Sequence, residues 1–116
     1  MEPRVNLRES GKEEAMAVLA IFTAEGLTRE KYDALRPMIQ WETDPAPGSL
    51  VHACGFDEAG NAHVADVWES PEQMGAFVEA RLIPAFQRLG IPPPSVVVYP
   101  AHNLNVFPSA VRYQLK

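Results

Sequence analysis

The sequence predicts an α+β domain of ferredoxin-like type, β-α-β-β-α-β, with a four-stranded antiparallel sheet and two helices on one of its faces. Three observations carry that reading. Residues 50–56 and 62–68 alternate as two strands around Asp57-Glu58-Ala59-Gly60-Asn61. Apolar runs suited to strands stand at 17–23 and 95–99. A segment with helical spacing and an N-cap follows the first strand, and another follows the third.

The first element, Ala-Val-Leu-Ala-Ile-Phe-Thr at 17–23, is a short continuous apolar run, the pattern of a strand with both faces covered. Glu25-Gly26 ends it, and Thr28 is a good N-cap with Glu30 in the first turn. Leu27 is placed to staple onto Tyr32, and Tyr32, Leu35 and Ile39 share one helical face. Pro37 predicts a break or kink near Arg36. Residues 41–48, with Pro45 and Pro47, read as a loop.

The hairpin fixes its own register. A three-residue turn at Glu58-Ala59-Gly60, with Gly60 left-handed, closes Asp57 on Asn61. Paired positions then sum to 118, which sets His52 opposite Asp66 and Leu50 opposite Trp68. Ser70, Pro71 and Gln73 open the second helix as N-cap, first helical residue and capping-box partner. Met74, Phe77, Val78, Leu82, Ala85, Phe86 and Leu89 form its apolar stripe, Pro84 predicts a kink near Ala80, and Gly90 ends it. Residues 101–107 alternate weakly and are expected to pair with a sheet edge.

At 116 residues the chain is one domain: a polar extension at 1–14, the fold at 15–107 and a tail at 108–116. A net charge of -5 argues against nucleic acid, which needs a basic face. No apolar run reaches the roughly 20 residues of a membrane span. The single Cys54 fits a reducing compartment, and charged residues after Met1 do not resemble a signal core, so a bacterial cytoplasmic protein is the expectation.

Two helices on one face leave the other bare. Of the two hairpin faces, Val51, Ala53, Gly55, Ala65 and Val67 suit closely packed helices. That assigns Leu50, His52, Cys54, Phe56, Val64, Asp66 and Trp68 to the bare face, an apolar patch too large for a monomer, and so predicts a homodimer with a cavity between two sheets.

The blocks Gly26-Leu27-Thr28-Arg29-Glu30-Lys31-Tyr32-Asp33, Asp66-Val67-Trp68-Glu69-Ser70, Ala80-Arg81-Leu82-Ile83-Pro84-Ala85 and Tyr99-Pro100-Ala101-His102-Asn103 resemble the dimeric α/β-barrel superfamily, the group of antibiotic-biosynthesis-monooxygenase-like proteins, over roughly residues 16–107. The resemblance implies the dimeric barrel. It is compatible with cofactor-free monooxygenases, haem-degrading enzymes, lactone isomerases and stress-response proteins. No catalytic motif of the characterised monooxygenases transfers residue by residue.

The residues themselves offer His52 as a base oriented by Asp66, and Trp68 as a flat wall for a small hydrophobic or aromatic ligand. A buried structural hydrogen bond explains His52 and Asp66 equally well, and Trp68 also reads as core. Tyr32, Arg81, His102 and Asn103 complete the candidate binding set. Arg81 lies inside the apolar stripe and must either reach water or pair with Glu69 or Glu42. No metal-ligand spacing and no Gly-rich phosphate loop occurs, so no cofactor is expected. The expected function is a small-molecule enzyme or binder with an enclosed pocket, acting on an aromatic or polyketide-like compound; as an enzyme it would be a cofactor-free monooxygenase or isomerase. The alternative is a non-catalytic dimeric ligand-binding or stress-related module.

Overall fold

The computed structural model describes residues 16–115, so the proposed extension at 1–14 lies outside the described residues. The elements are β1 (Val18–Ala24), α1 (Arg29–Ile39), β2 (Ser49–Phe56), β3 (Ala62–Trp68), α2 (Pro71–Phe77), α3 (Ile83–Leu89) and β4 (Ser95–Pro100). The sheet order is β2-β3-β1-β4 with antiparallel neighbours, the ferredoxin-like arrangement.

The local signals act as expected at the helix starts. Thr28 Oγ1 accepts from the Lys31 amide at 3.3 Å, and Ser70 Oγ accepts from the Gln73 amide at 3.1 Å. Of the two helix prolines, Pro37 acts differently from expectation. α1 runs through Pro37 to Ile39 and ends at Gln40, whose φ is 66°. Pro37 and Asp33 are both exposed, so water can take the carbonyl that the proline frees. Pro84 disturbs the second helix around Ala80, where the sequence placed its effect, but as a π-helical turn. A π-helical turn at Val78–Leu82 joins α2 to α3 and absorbs the missing donor, so the rod becomes three pieces in series.

The hairpin turn closes as predicted: the Asp57 amide donates to the Asn61 carbonyl at 3.0 Å, and Gly60 has φ +87°. His52 pairs with Asp66, and the sum of 118 holds from Val51 to Phe56. It fails at Leu50. An irregularity between Ser49 and Val51 sets Ser49, not Leu50, opposite Trp68.

The larger correction concerns which face is covered. Phe22, Trp68, Tyr32, Leu35, Phe77, Leu82 and Phe86 are buried in one core, with Cys54, Phe56 and Val64 packed against it. The helices therefore cover the face of His52, Asp66 and Trp68. The other face, with Leu19, Ile21, Ala53, Ala65, Val97 and Tyr99, is left open, and Val97 and Tyr99 are 49% and 52% exposed. Size explains the inversion: two helices need bulky side chains beneath them to fill the layer between, and small residues there would leave voids.

Residues 101–107 form no strand in the single chain. The Ala101 amide donates to the Ala17 carbonyl at 2.8 Å, and then the chain leaves the sheet. Pro100 has no N–H to extend the ladder. The tail ends in a 3-10 turn at Pro108–Tyr113, with Val106, Phe107, Val111 and Tyr113 all at least 66% exposed.

Candidate functional site

The site lies between the sheet and α1, built outward from Asp66. This carboxylate is 3% exposed, and its burial is tolerable only because both oxygens are engaged. Oδ1 lies 2.8 Å from His52 Nδ1, and Oδ2 accepts from Trp68 Nε1 at 3.2 Å. His52 Nε2 in turn lies 2.8 Å from the Tyr32 hydroxyl. A carboxylate accepts, so Nδ1 carries the imidazole proton and Nε2 accepts from the phenol. The result is a directed chain, Tyr32 to His52 to Asp66, with Trp68 holding the far oxygen.

Local structure explains the convergence. His52 and Asp66 meet because the hairpin register sets them opposite on one face. Tyr32 reaches them because it sits on the buried stripe of α1 with Leu35 and Ile39. Burial first, then Cys54 and Glu42, pushes the Tyr32 phenol well above its usual range, so it stays protonated and acts as a donor.

Aromatic rings frame the chain. The rings of Tyr32 and His52 are parallel within 2°, with centroids 6.3 Å apart, and the hydrogen bond joins them edge to edge as a two-ring platform. Trp41 lies across that platform, 4.5 Å from His52 and 5.2 Å from Tyr32, tilted by about 20°. Beneath is a cavity of about 20 Å3, lined by Phe22, Leu35, Phe86 and others, with room for one water. Outside is an open hollow of about 1050 Å3 reaching Arg29, Cys54, Phe56 and the C-terminal Tyr113. Trp41, Tyr32 and His52 border both spaces.

The candidate binding residues fare unequally. Trp68 is 3% exposed and packs on Phe77 with centroids 5.0 Å apart, so its ring is core and its N–H serves Asp66. Trp41, which the sequence reading left in a loop, supplies the flat ring at the site. Tyr32 is brought directly into the chain. Arg81 pairs with neither Glu69 nor Glu42. Its Nη1 donates to the carbonyls of Ile39 and Asp44 at 3.1 and 2.6 Å, and its Nη2 lies 3.5 Å from the Asp44 carboxylate. Glu42 is held instead by Arg36. His102 and Asn103 lie in the exposed tail and are not brought to His52. Among the described residues no group of three or more metal-ligating side chains occurs.

No family model matches the sequence, and neither does any curated protein. Solved structures do resemble it. A conserved protein from Methanosarcina mazei is 9% identical, with 77% of this chain and 96% of that one covered at a TM-score of 0.57. A candidate antibiotic biosynthesis monooxygenase from Nitrosomonas europaea is 14% identical over 75% and 90%, at 0.52. SnoaB, a cofactor-independent oxygenase from Streptomyces nogalater, is 15% identical over 77% and 94%, also at 0.52. The chain thus has the ferredoxin-like fold of the antibiotic-biosynthesis-monooxygenase-like proteins, as the resemblance implied. At these identities the likeness concerns the fold. No helix among the described residues is long and apolar enough to cross a membrane.

Proposed function

We propose that this protein is a cofactor-free acid–base enzyme, an oxygenase or isomerase, that removes an activated proton from a planar aromatic or polyketide-like compound. The buried chain Tyr32–His52–Asp66, with two links of 2.8 Å, is the observation that carries the reading. A substrate hydroxyl, or the proton beside a carbonyl, passes its proton to the Tyr32 oxygen as Tyr32 passes its own to His52 Nε2. The imidazolium that forms is stabilised by Asp66, and the apolar walls protect the substrate anion. Reprotonation at another carbon gives an isomerase; reaction of the anion with dioxygen gives an oxygenase. The similarity in fold to a cofactor-independent oxygenase supports this class.

The protein works as a homodimer in this reading. The support is the uncovered sheet face of Leu19, Ile21, Val97 and Tyr99, together with the apolar tail, since contiguous patches of this kind are rarely left in water.

Solvent-deuterium exchange into 2-tetralone, a bicyclic ketone with acidic protons, tests the chemistry without oxygen. The wild type should accelerate exchange over buffer, and His52→Ala should lose roughly 100-fold or more of that rate. Exchange no faster than in buffer sinks the proposal. The rival reading, a non-catalytic module with His52 and Asp66 as structural glue, draws on the small size of the inner cavity. Under it Asp66→Asn lowers stability by about 1–3 kcal/mol and changes nothing else.

A further inference from the structure

The platform of Tyr32 and His52 is a feature that the proton chain alone does not require. Two hydrogen-bonded rings need not be parallel, yet these are so within 2°, and they turn two joined flat faces to the same side. The Trp41 indole covers both rings at once, nearly parallel to each. The stacked position is therefore shaped for a fused planar ring system, and a side chain of this protein fills it.

From this geometry we infer that the slot held by the Trp41 indole is the seat of a planar aromatic ligand, and that the Trp41 turn is the gate that vacates it. The inference rests on the proposed acid–base site and specifies where its ligand lies. With the gate shut, the inner cavity of about 20 Å3 holds no more than a water, while the hollow outside is about 1050 Å3. Trp41 stands at the boundary of the two. A ligand that takes its place stacks on His52 and Tyr32, with its edge toward the phenol oxygen.

The turn is built to move as a small unit. Gln40, in the left-handed conformation, ends α1 immediately before Trp41. The Asp44 amide donates back to the Gln40 carbonyl at 2.9 Å. One guanidinium, that of Arg81, grips the Ile39 and Asp44 carbonyls on either side of this turn. The ends are pinned, while the tip is held through the stacking of Trp41 on Tyr32 and His52. The tip's other tie is the Arg36–Glu42 ion pair at 3.3 Å. Arg81 thereby acquires a positioning role that the apolar stripe gave no hint of.

The test uses full-length protein labelled with 5-fluorotryptophan and 2-naphthol as the ligand, a planar bicycle close to indole in size. The chain has two tryptophans, so the fluorine spectrum has two signals, assigned by Trp41→Phe, with buried Trp68 as internal control. Adding 2-naphthol should move the Trp41 signal and leave that of Trp68 in place. Trp41→Ala should bind 2-naphthol at least tenfold more tightly, because apparent affinity rises when the competent state need not first be opened. Binding with the Trp41 signal unmoved overturns the gate, as does no binding to either protein. The wild-type spectrum decides the matter even if Trp41→Ala folds poorly. A moved Trp41 signal without deuterium exchange into 2-tetralone refutes the acid–base reading and leaves the gate standing; exchange with Trp41 fixed does the reverse.

Discussion

The Asp66 carboxylate organises the site because a buried carboxylate must spend its acceptors on something. One goes to a histidine and the other to an indole, and these contacts orient His52 toward Tyr32. Cys54, two positions along the same face, senses the same environment. Burial first, against a smaller opposing pull from Arg29 and with a push from Asp66, raises its thiol from 9.0 to about 11. A raised acid keeps its proton in the fold. Its contribution to stability is therefore intact below pH 9.0 and is lost as pH rises toward about 11, and Tyr32, also raised, adds to that loss above 10.0. Alkylation of Cys54 by iodoacetamide at pH 8 should be roughly 100-fold slower in the folded protein than in the urea-unfolded chain. Equal rates would show an exposed, ordinary thiol. The pair His52–Asp66 was legible from the sequence because it depends only on turn geometry and a period of two. Tyr32 joining it was not, since that depends on how α1 lies on the sheet. Trp41 left no periodic signal, as a loop residue has no neighbours at fixed spacing to betray its direction.

At the scale of elements, caps and turn were readable because each is a local hydrogen bond between residues a few positions apart. The place of the irregularity before Pro84 was readable too, but its form, and the continuity at Pro37, were not, because these depend on what surrounds the freed carbonyl. At Pro37 the freed carbonyl belongs to exposed Asp33, and before Pro84 the backbone takes a π-helical turn. The face assignment failed for a related reason: alternation separates two faces but does not say which one the helices choose. Arg81 ties the C-terminal end of α1 to the second helical rod through two carbonyls and the Asp44 carboxylate. Arg81→Ala should lower stability by about 1–3 kcal/mol in urea unfolding, with the circular dichroism of the native state unchanged. Arg81→Lys should recover only part of this, since an ammonium lacks the planar fork that serves several acceptors at once. A loss under about 0.5 kcal/mol would place Arg81 among ordinary surface cations.

For the whole molecule, the face open for the proposed assembly is the opposite side of the sheet from the one the sequence suggested. Phe56 and Val64 pack against the core under the helices, so charged substitutions there test folding and not association. Val97, 49% exposed on the open face, is the better probe. Light scattering should give about twice 12.8 kDa for the wild type and a monomer for Val97→Glu, because an unpaired charge buried between sheets costs several kcal/mol. Removing residues 101–116, with exposed Phe107 and Tyr113, should also weaken the dimer. A wild-type monomer at micromolar concentration would refute the assembly.

Along β3 the side chains of Ala65, Asp66 and Val67 point alternately to the two sides of the sheet. In the proposed dimer the sheet would be a partition, with the candidate chemistry on one side and assembly on the other. Each protomer of such a dimer would carry its own Tyr32, His52, Asp66 and Trp41, which meet within one chain. In a mixed dimer of one intact and one His52→Ala copy, the two would behave as separate workshops under one roof. Neither repairs the other, and neither is silenced by it. Such an arrangement lets the binding slot drift toward new ligands without renegotiating the partnership that keeps the open face out of water.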